Sequence, residues 1–264
     1  MDDLAARALL ILGWAVASYL TYRALIPFFT SAAEATASDR DAASRVPSTV
    51  HALVVLVLGG ATVLTTHPAD VTDASPPYLG TISLCVSVGY FIQDIFVMLH
   101  SKYEPLLPLL LHHSGCALCM GLIALAVPRA VWYACLLQCT EATVPLQTLI
   151  FFLERAHGYA VSGGGTPRDA AAAGAGGGSA DWALYALSRW SLLVTWLLVR
   201  EALFVYFAFV VARDWEGLTP VMKVLGWGTG VPLALFNTGG LIHVVLVGFP
   251  WWPPPAKEER AKTS

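Results

Sequence analysis

The chain has 264 residues, 56% of them hydrophobic and only 12% charged, with a formal net charge of −3. A soluble domain carries about twice that charged share, and a mean hydropathy of +0.64 excludes an ordinary water-soluble globule. No basic patch offers a footprint for nucleic acid, and all five cysteines fall in apolar segments, as small buried hydrophobes rather than a disulfide framework.

The chain opens MDD and then runs apolar from Leu9 to Ile26. It lacks the basic n-region and clear small-residue cleavage site of a secretory signal, so this run reads as a first transmembrane helix that is retained. Similar runs of about 17–23 residues recur along the sequence, the length that a bilayer core of roughly 30 Å requires of a helix. The reading is all-α and polytopic, with seven spans at about residues 4–26, 48–66, 79–100, 105–127, 130–153, 188–212 and 219–248. Pro47, Pro76-Pro77, Pro105, Pro128 and Pro220 stand at the expected segment starts, where proline costs least. A Gly/Ala-rich connection (156–181), including GGGTPRDAAAAGAGGGSA, has too few large apolar side chains to offset its ordering entropy and is expected to be a disordered loop. The end, WWPPPAKEERAKTS, pairs interfacial tryptophans with a polar tail (250–264).

Counting Lys and Arg by side sets an orientation. With the N-terminus lumenal, ten fall on the cytosolic side and four on the other (Arg7, Arg129, Arg213 and Lys223), which predicts a cytosolic C-terminus.

Ionisable groups within a span are costly, so each is a functional candidate. They are His51, Asp94, His112, His113, Glu141, Arg200, Glu201 and His243, with Gln93 and Asn237 as uncharged companions. At about 1.5 Å of rise per residue, His51 lies roughly 5 Å from the cytosolic end, Asp94 and His243 roughly 9 Å, and His112-His113 roughly 10–12 Å. Glu141, Arg200 and Asn237 lie deeper, at roughly 17–20 Å. A very short connection around Ser101–Glu104 makes the third and fourth spans antiparallel neighbours, which brings Asp94 level with the histidine pair. A carboxylate beside an imidazole holds its tautomer and raises its basicity. Glu141 and Arg200 share a depth at which they could pair. Cys116-x-x-Cys119 beside the histidines reads as packing cysteines rather than a zinc site, and no metal is expected. The glycines at 226, 228, 239 and 240 suit close helix packing better than a nucleotide loop. No hydrolase, zinc-protease or Walker signature is present.

RVPSTVHA (Arg45–Ala52), GYFIQDIFVML (Gly89–Leu99), LLLHHSG (Leu109–Gly115) and TEATVPLQTLIFFLE (Thr140–Glu154) follow the order found in TLC-domain proteins. The chain resembles that family over about residues 45–249, and is most similar to its small type 4 members, with residues 1–44 forming an extra helix and its connection. The resemblance implies six helices around a long cavity, in the endoplasmic reticulum or Golgi. It also implies that Asp94, His112, His113, Glu141 and Asn237 occupy recurrent polar positions. In the ceramide synthases of this family, a histidine of the pair is implied in acyl transfer from acyl-CoA to a sphingoid amine.

Those enzymes continue with an H-D-x-x-D element. Here SGCALCMGLIALAVPRAVWYACLLQCTEATVPLQ follows His113, with Glu141 its one acidic residue. The favoured expectation is therefore a membrane protein that binds lipid (sphingolipid or acyl chains) and acts in lipid homeostasis or trafficking without a cofactor. Its lipid site would draw on His51, Asp94, His112, His113, Glu141, Arg200, Asn237 and His243. The second is a lipid N-acyltransferase using acyl-CoA as co-substrate, with His112, His113 and Asp94 as catalytic residues.

Overall fold

The computed structural model describes residues 2–30, 35–72, 75–101, 106–157 and 179–246. Most of the Gly/Ala-rich connection and all of the polar tail lie outside the described residues. Among the described residues the regular structure is entirely helical.

The chain runs α1 (Asp2–Phe29), α2 (Ala37–Thr65), α3 (Tyr78–Ser101), α4 (Leu106–Ala126), α5 (Val131–Gln138), α6 (Val144–His157), α7 (Ser179–Thr195), α8 (Ala202–Arg213) and α9 (Pro220–Leu246). A 3₁₀ turn, Cys139–Thr143, joins α5 to α6, and a π-helical turn, Trp196–Glu201, joins α7 to α8. Each joined pair therefore forms one long rod. Six segments among the described residues are long and apolar enough to cross a membrane: α1, α2, α3, α4, Pro128–Ala156 and Ala183–Arg213. The last rod, α9, has 27 residues, or about 40 Å at 1.5 Å per residue, which matches the expected final span in length.

Two boundaries differ from the sequence expectation. The second helix starts at Ala37, about eleven residues before position 48, and carries Pro47 inside it. The reason is a capping box: Thr36 Oγ1 accepts from the Asp39 N–H at 3.2 Å, and the Thr36 N–H donates to Asp39 Oδ2 at 2.9 Å. Satisfying both orphan donors makes an earlier start favourable. The sixth expected helix likewise begins earlier, at Ser179. At this end of the bundle Arg155 of α6 ties the elements together. Its Nη2 lies 2.6 Å from Asp39 Oδ1, its Nη1 donates to the Ser38 carbonyl at 3.0 Å, and it also reaches the Phe29 carbonyl of α1.

α3 is the central helix, packed against α1, α2 and α4. Of its most apolar 18-residue window 72% is buried, against 11% for α1. α1 and α4 instead turn leucines such as Leu9, Leu12, Leu107 and Leu118 outward, as rods facing hydrocarbon must. One core cluster joins Leu84 and Cys85 of α3 to Ala124 of α4 and Val131, Ala134 and Cys135 of α5. A second joins Trp132 and Leu136 to Phe207, Val210 and Val211 of α8.

Candidate functional site

Among the described residues, a cavity lies on each of two sides of α4, and its adjacent histidines divide between them. The larger, of about 410 Å³, lies between α4, α5, α8 and α9 and is bordered by His112, Cys116, Glu141 and Arg200. The smaller, of about 210 Å³, is bordered by His113, Asp94, Tyr90, Arg45, Ser48 and Gln147. Neighbouring residues on a helix point about 100° apart, and α4 runs between the two spaces, so one imidazole enters each.

In the smaller cavity, His113 Nδ1 stands 2.7 Å from Asp94 Oδ2. The approach lacks the alignment of a hydrogen bond, so the contact is electrostatic proximity between an imidazole and a carboxylate. Phe91 packs beside the His113 ring, with centroids 5.2 Å apart. Arg45 at the rim is held by Asp41, 3.2 Å away on the preceding turn of α2.

In the larger cavity, His112 lies flat on Phe236 of α9, with ring centroids 4.5 Å apart and planes within 5°. Cys116, one turn on, has its sulfur 3.9 Å from both ring nitrogens of His112. Equal distances aim the sulfur squarely at neither nitrogen, an approach unsuited to proton transfer between them. Among the described residues no His/Cys/Asp/Glu cluster could hold a metal. The cavity follows α4 from Pro108 to Ile123, about 23 Å at 1.5 Å per residue. Apart from a few polar groups, its walls are apolar side chains such as Met120, Leu137, Phe207 and Leu225.

Arg200 enters this apolar space from the π-helical turn. Such turns insert a residue into an α-helix and often re-aim a functional side chain. Its Nε donates to Thr143 Oγ1 and its Nη1 to Asn237 Oδ1, both at 2.8 Å, while the guanidinium lies over the Trp196 ring at 4.6 Å. The expected Glu141–Arg200 pair is not formed: among the described residues Glu141 has no ion-pair or hydrogen-bond partner. Thr143 and Asn237 hold the guanidinium instead, because they lie within its fork's reach on two different elements.

The remaining candidates sit apart. His51 is 1% exposed, stacked on Tyr90 at 4.1 Å, and its Nε2 lies 3.0 Å from Ser87 Oγ. It borders neither cavity and belongs to a polar seam between α2, α3 and α5. Gln138 Nε2 donates to Ser87 Oγ at 2.6 Å and to the Ser83 carbonyl at 3.2 Å, and Ser83 Oγ donates to Gln138 Oε1 at 2.7 Å. Having accepted from Gln138, the Ser87 hydroxyl has its own proton to give to His51 Nε2. Asn237 is not on the cavity lining and meets it through Arg200, and Glu201 accepts from Thr238 at 3.3 Å. Gln93 is buried, and among the described residues neither of its amide atoms has a partner. His243 lies on α9, but its side chain falls outside the described residues.

Sequence reasoning missed Gln138, Thr143 and Phe236. Gln138 carried a usable signal, an amide inside an apolar run. Thr143 and Phe236 did not, since a threonine can satisfy itself within a helix and a phenylalanine in a span is ordinary.

Residues 41–252 match the family model described as the TLC domain. No curated protein and no solved structure matches the chain.

Proposed function

This chain belongs to the TLC-domain family, and from that membership we propose that it binds a membrane lipid in the cavity between α4, α5, α8 and α9 and acts in membrane lipid homeostasis or trafficking. One observation carries the reading: a cavity of about 410 Å³, apolar along its length, with a small polar group at His112, Glu141 and Arg200. Ligand pockets of roughly 300–1,000 Å³ with apolar walls and a few placed polar groups are the common form of a small-molecule site. The cavity's length of about 23 Å exceeds one leaflet's share, about 15 Å, of the hydrocarbon core, so an extended acyl chain fits along it.

Saturable capture tests this. A photoactivatable fatty-acyl probe should label α4 and α9 peptides in a way that unlabelled lipid competes away. Met120→Trp, which fills the cavity, should weaken that labelling about tenfold, or roughly 1.4 kcal/mol. Labelling that is non-saturable and spread over outward residues such as Leu118 would sink the proposal.

A second reading, acyl transfer from acyl-CoA to a lipid amine, draws support from His113 and Asp94 at 2.7 Å in the smaller cavity. General-base action is worth about 10²–10⁴-fold, so CoA release with a long-chain amine should fall at least about 100-fold in His113→Ala. Wild-type protein that releases no CoA above background removes this reading.

We further propose residence in the endoplasmic reticulum or Golgi, on the family membership, and a lumenal N-terminus, on the excess of ten Lys and Arg over four. In sealed microsomes a tag after Ser264 should be digested by added protease; protection of that tag would reverse the orientation.

A further inference from the structure

We infer that the polar group of the larger cavity is built for the headgroup of a zwitterionic amphiphile, one carrying an ammonium together with a phosphate or carboxylate. The inference rests on the lipid-binding reading and narrows its ligand class. A carboxyl group and a guanidinium border this cavity, those of Glu141 and Arg200, and among the described residues no ion pair or hydrogen bond joins them. Arg200 is only 9% exposed, and two of its nitrogens are occupied, Nε by Thr143 and Nη1 by Asn237. Among the described residues its Nη2 has no acceptor, and neither carboxylate oxygen of Glu141 has a donor.

The two groups are neighbours through the 3₁₀ turn. Thr143, which accepts from Arg200, lies two residues beyond Glu141 in Cys139–Thr143. Arg200 is buried with one nitrogen left over and Glu141 is partly buried at the same cavity; ionic groups kept from bulk water are costly unless fully partnered, so both ends call for a ligand that answers each. A purely anionic head would meet the Glu141 carboxylate, and a purely cationic one would meet the guanidinium. A head bearing both satisfies both: an ammonium offers three donors to the carboxylate, and a phosphate or carboxylate accepts from the planar guanidinium. Thr143 and Asn237 fix the guanidinium in place beforehand, so less rotamer freedom is lost when the head arrives.

The test is competition on the full-length protein in nanodiscs. An uncharged photoactivatable fatty alcohol is the labelled probe, and three single-chain competitors are compared: lysophosphatidylethanolamine, a fatty acid and a long-chain amine. On wild type the zwitterion should compete about tenfold better than either singly charged lipid. Glu141→Gln should erase its advantage over the fatty acid, and Arg200→Gln its advantage over the amine. If Arg200→Gln does not fold, Glu141→Gln alone decides, because Glu141 supports no other residue. Equal potency of the three competitors on wild type, or an unchanged ranking in Glu141→Gln, overturns the zwitterion while saturable alcohol labelling leaves lipid binding intact. Absence of saturable labelling overturns both.

Discussion

Gly89→Leu is expected to abolish recovery of folded protein, and Gly89→Ala to lower the thermal midpoint by several degrees. A Cβ at position 89 of α3 would lie 2.5 Å from the Ile11 carbonyl oxygen, 3.0 Å from Trp14 Cβ and 3.1 Å from the Ala15 nitrogen. Two of these are backbone atoms of α1, so no rotamer change relieves the overlap and α1 must shift as a body. Overpacking typically costs about 1–3 kcal/mol, and here it falls where small residues let two membrane helices touch. Gly60 makes the control, with nothing within 4 Å of its would-be Cβ. Gly60→Ala should be neutral or stabilising by up to about 1 kcal/mol. Thermal unfolding in one detergent measures all three; equal midpoints for Gly89→Ala and Gly60→Ala would refute the close approach.

Gln138→Leu is the second substitution expected to act strongly. The side chain is 2% exposed and serves Ser83 and Ser87 at once. Leucine fills similar space but takes the 2.7 Å acceptor from Ser83 Oγ and one of the two partners from Ser87, which keeps His51, at about 1–3 kcal/mol for each buried group left unsatisfied. A loss of about 2–4 kcal/mol in unfolding free energy is therefore expected. Adding Ser83→Ala should recover part of it, because removing both partners of a buried hydrogen bond is cheaper than removing one. Strictly additive losses would show that the seam is not a coupled network.

The helices were legible because bilayer thickness constrains them: a span needs about 20 apolar residues, and the sequence shows such runs directly. The neighbourhood of Asp94 and the histidine pair was also readable, since a short connection forces α3 and α4 together at matched depth. Which histidine meets Asp94 was not readable. Both lie on the same helix, and their surroundings are separated by packing, with Asp94 and Phe91 of α3 beside His113 and Phe236 of α9 on His112. Arg200 was visible as a buried charge, but its holders, Thr143 and Asn237, come from other elements, and a π-helical turn sets its direction. Neither helical periodicity nor depth encodes that turn. The start of α2 was misplaced because Pro47 suggested a boundary, while Thr36 and Asp39 supplied a stronger one upstream.

The 3₁₀ turn at Cys139–Thr143 acts as a phase shifter. An α-helix advances about 100° per residue and a 3₁₀ helix about 120°, so five residues add about 100° of winding. The span from Pro128 to Ala156 thus has two azimuths on one axis. Before the turn, Gln138 faces the serines of α3; beyond it, α6 carries Arg155 round to Asp39 of α2. Between them, Glu141 is swung into the larger cavity. A uniformly wound rod with the same spacing of residues would leave those three side chains out of register with one another. The tightened turn thereby lets a single span seal the bundle at two levels and expose a carboxylate between them.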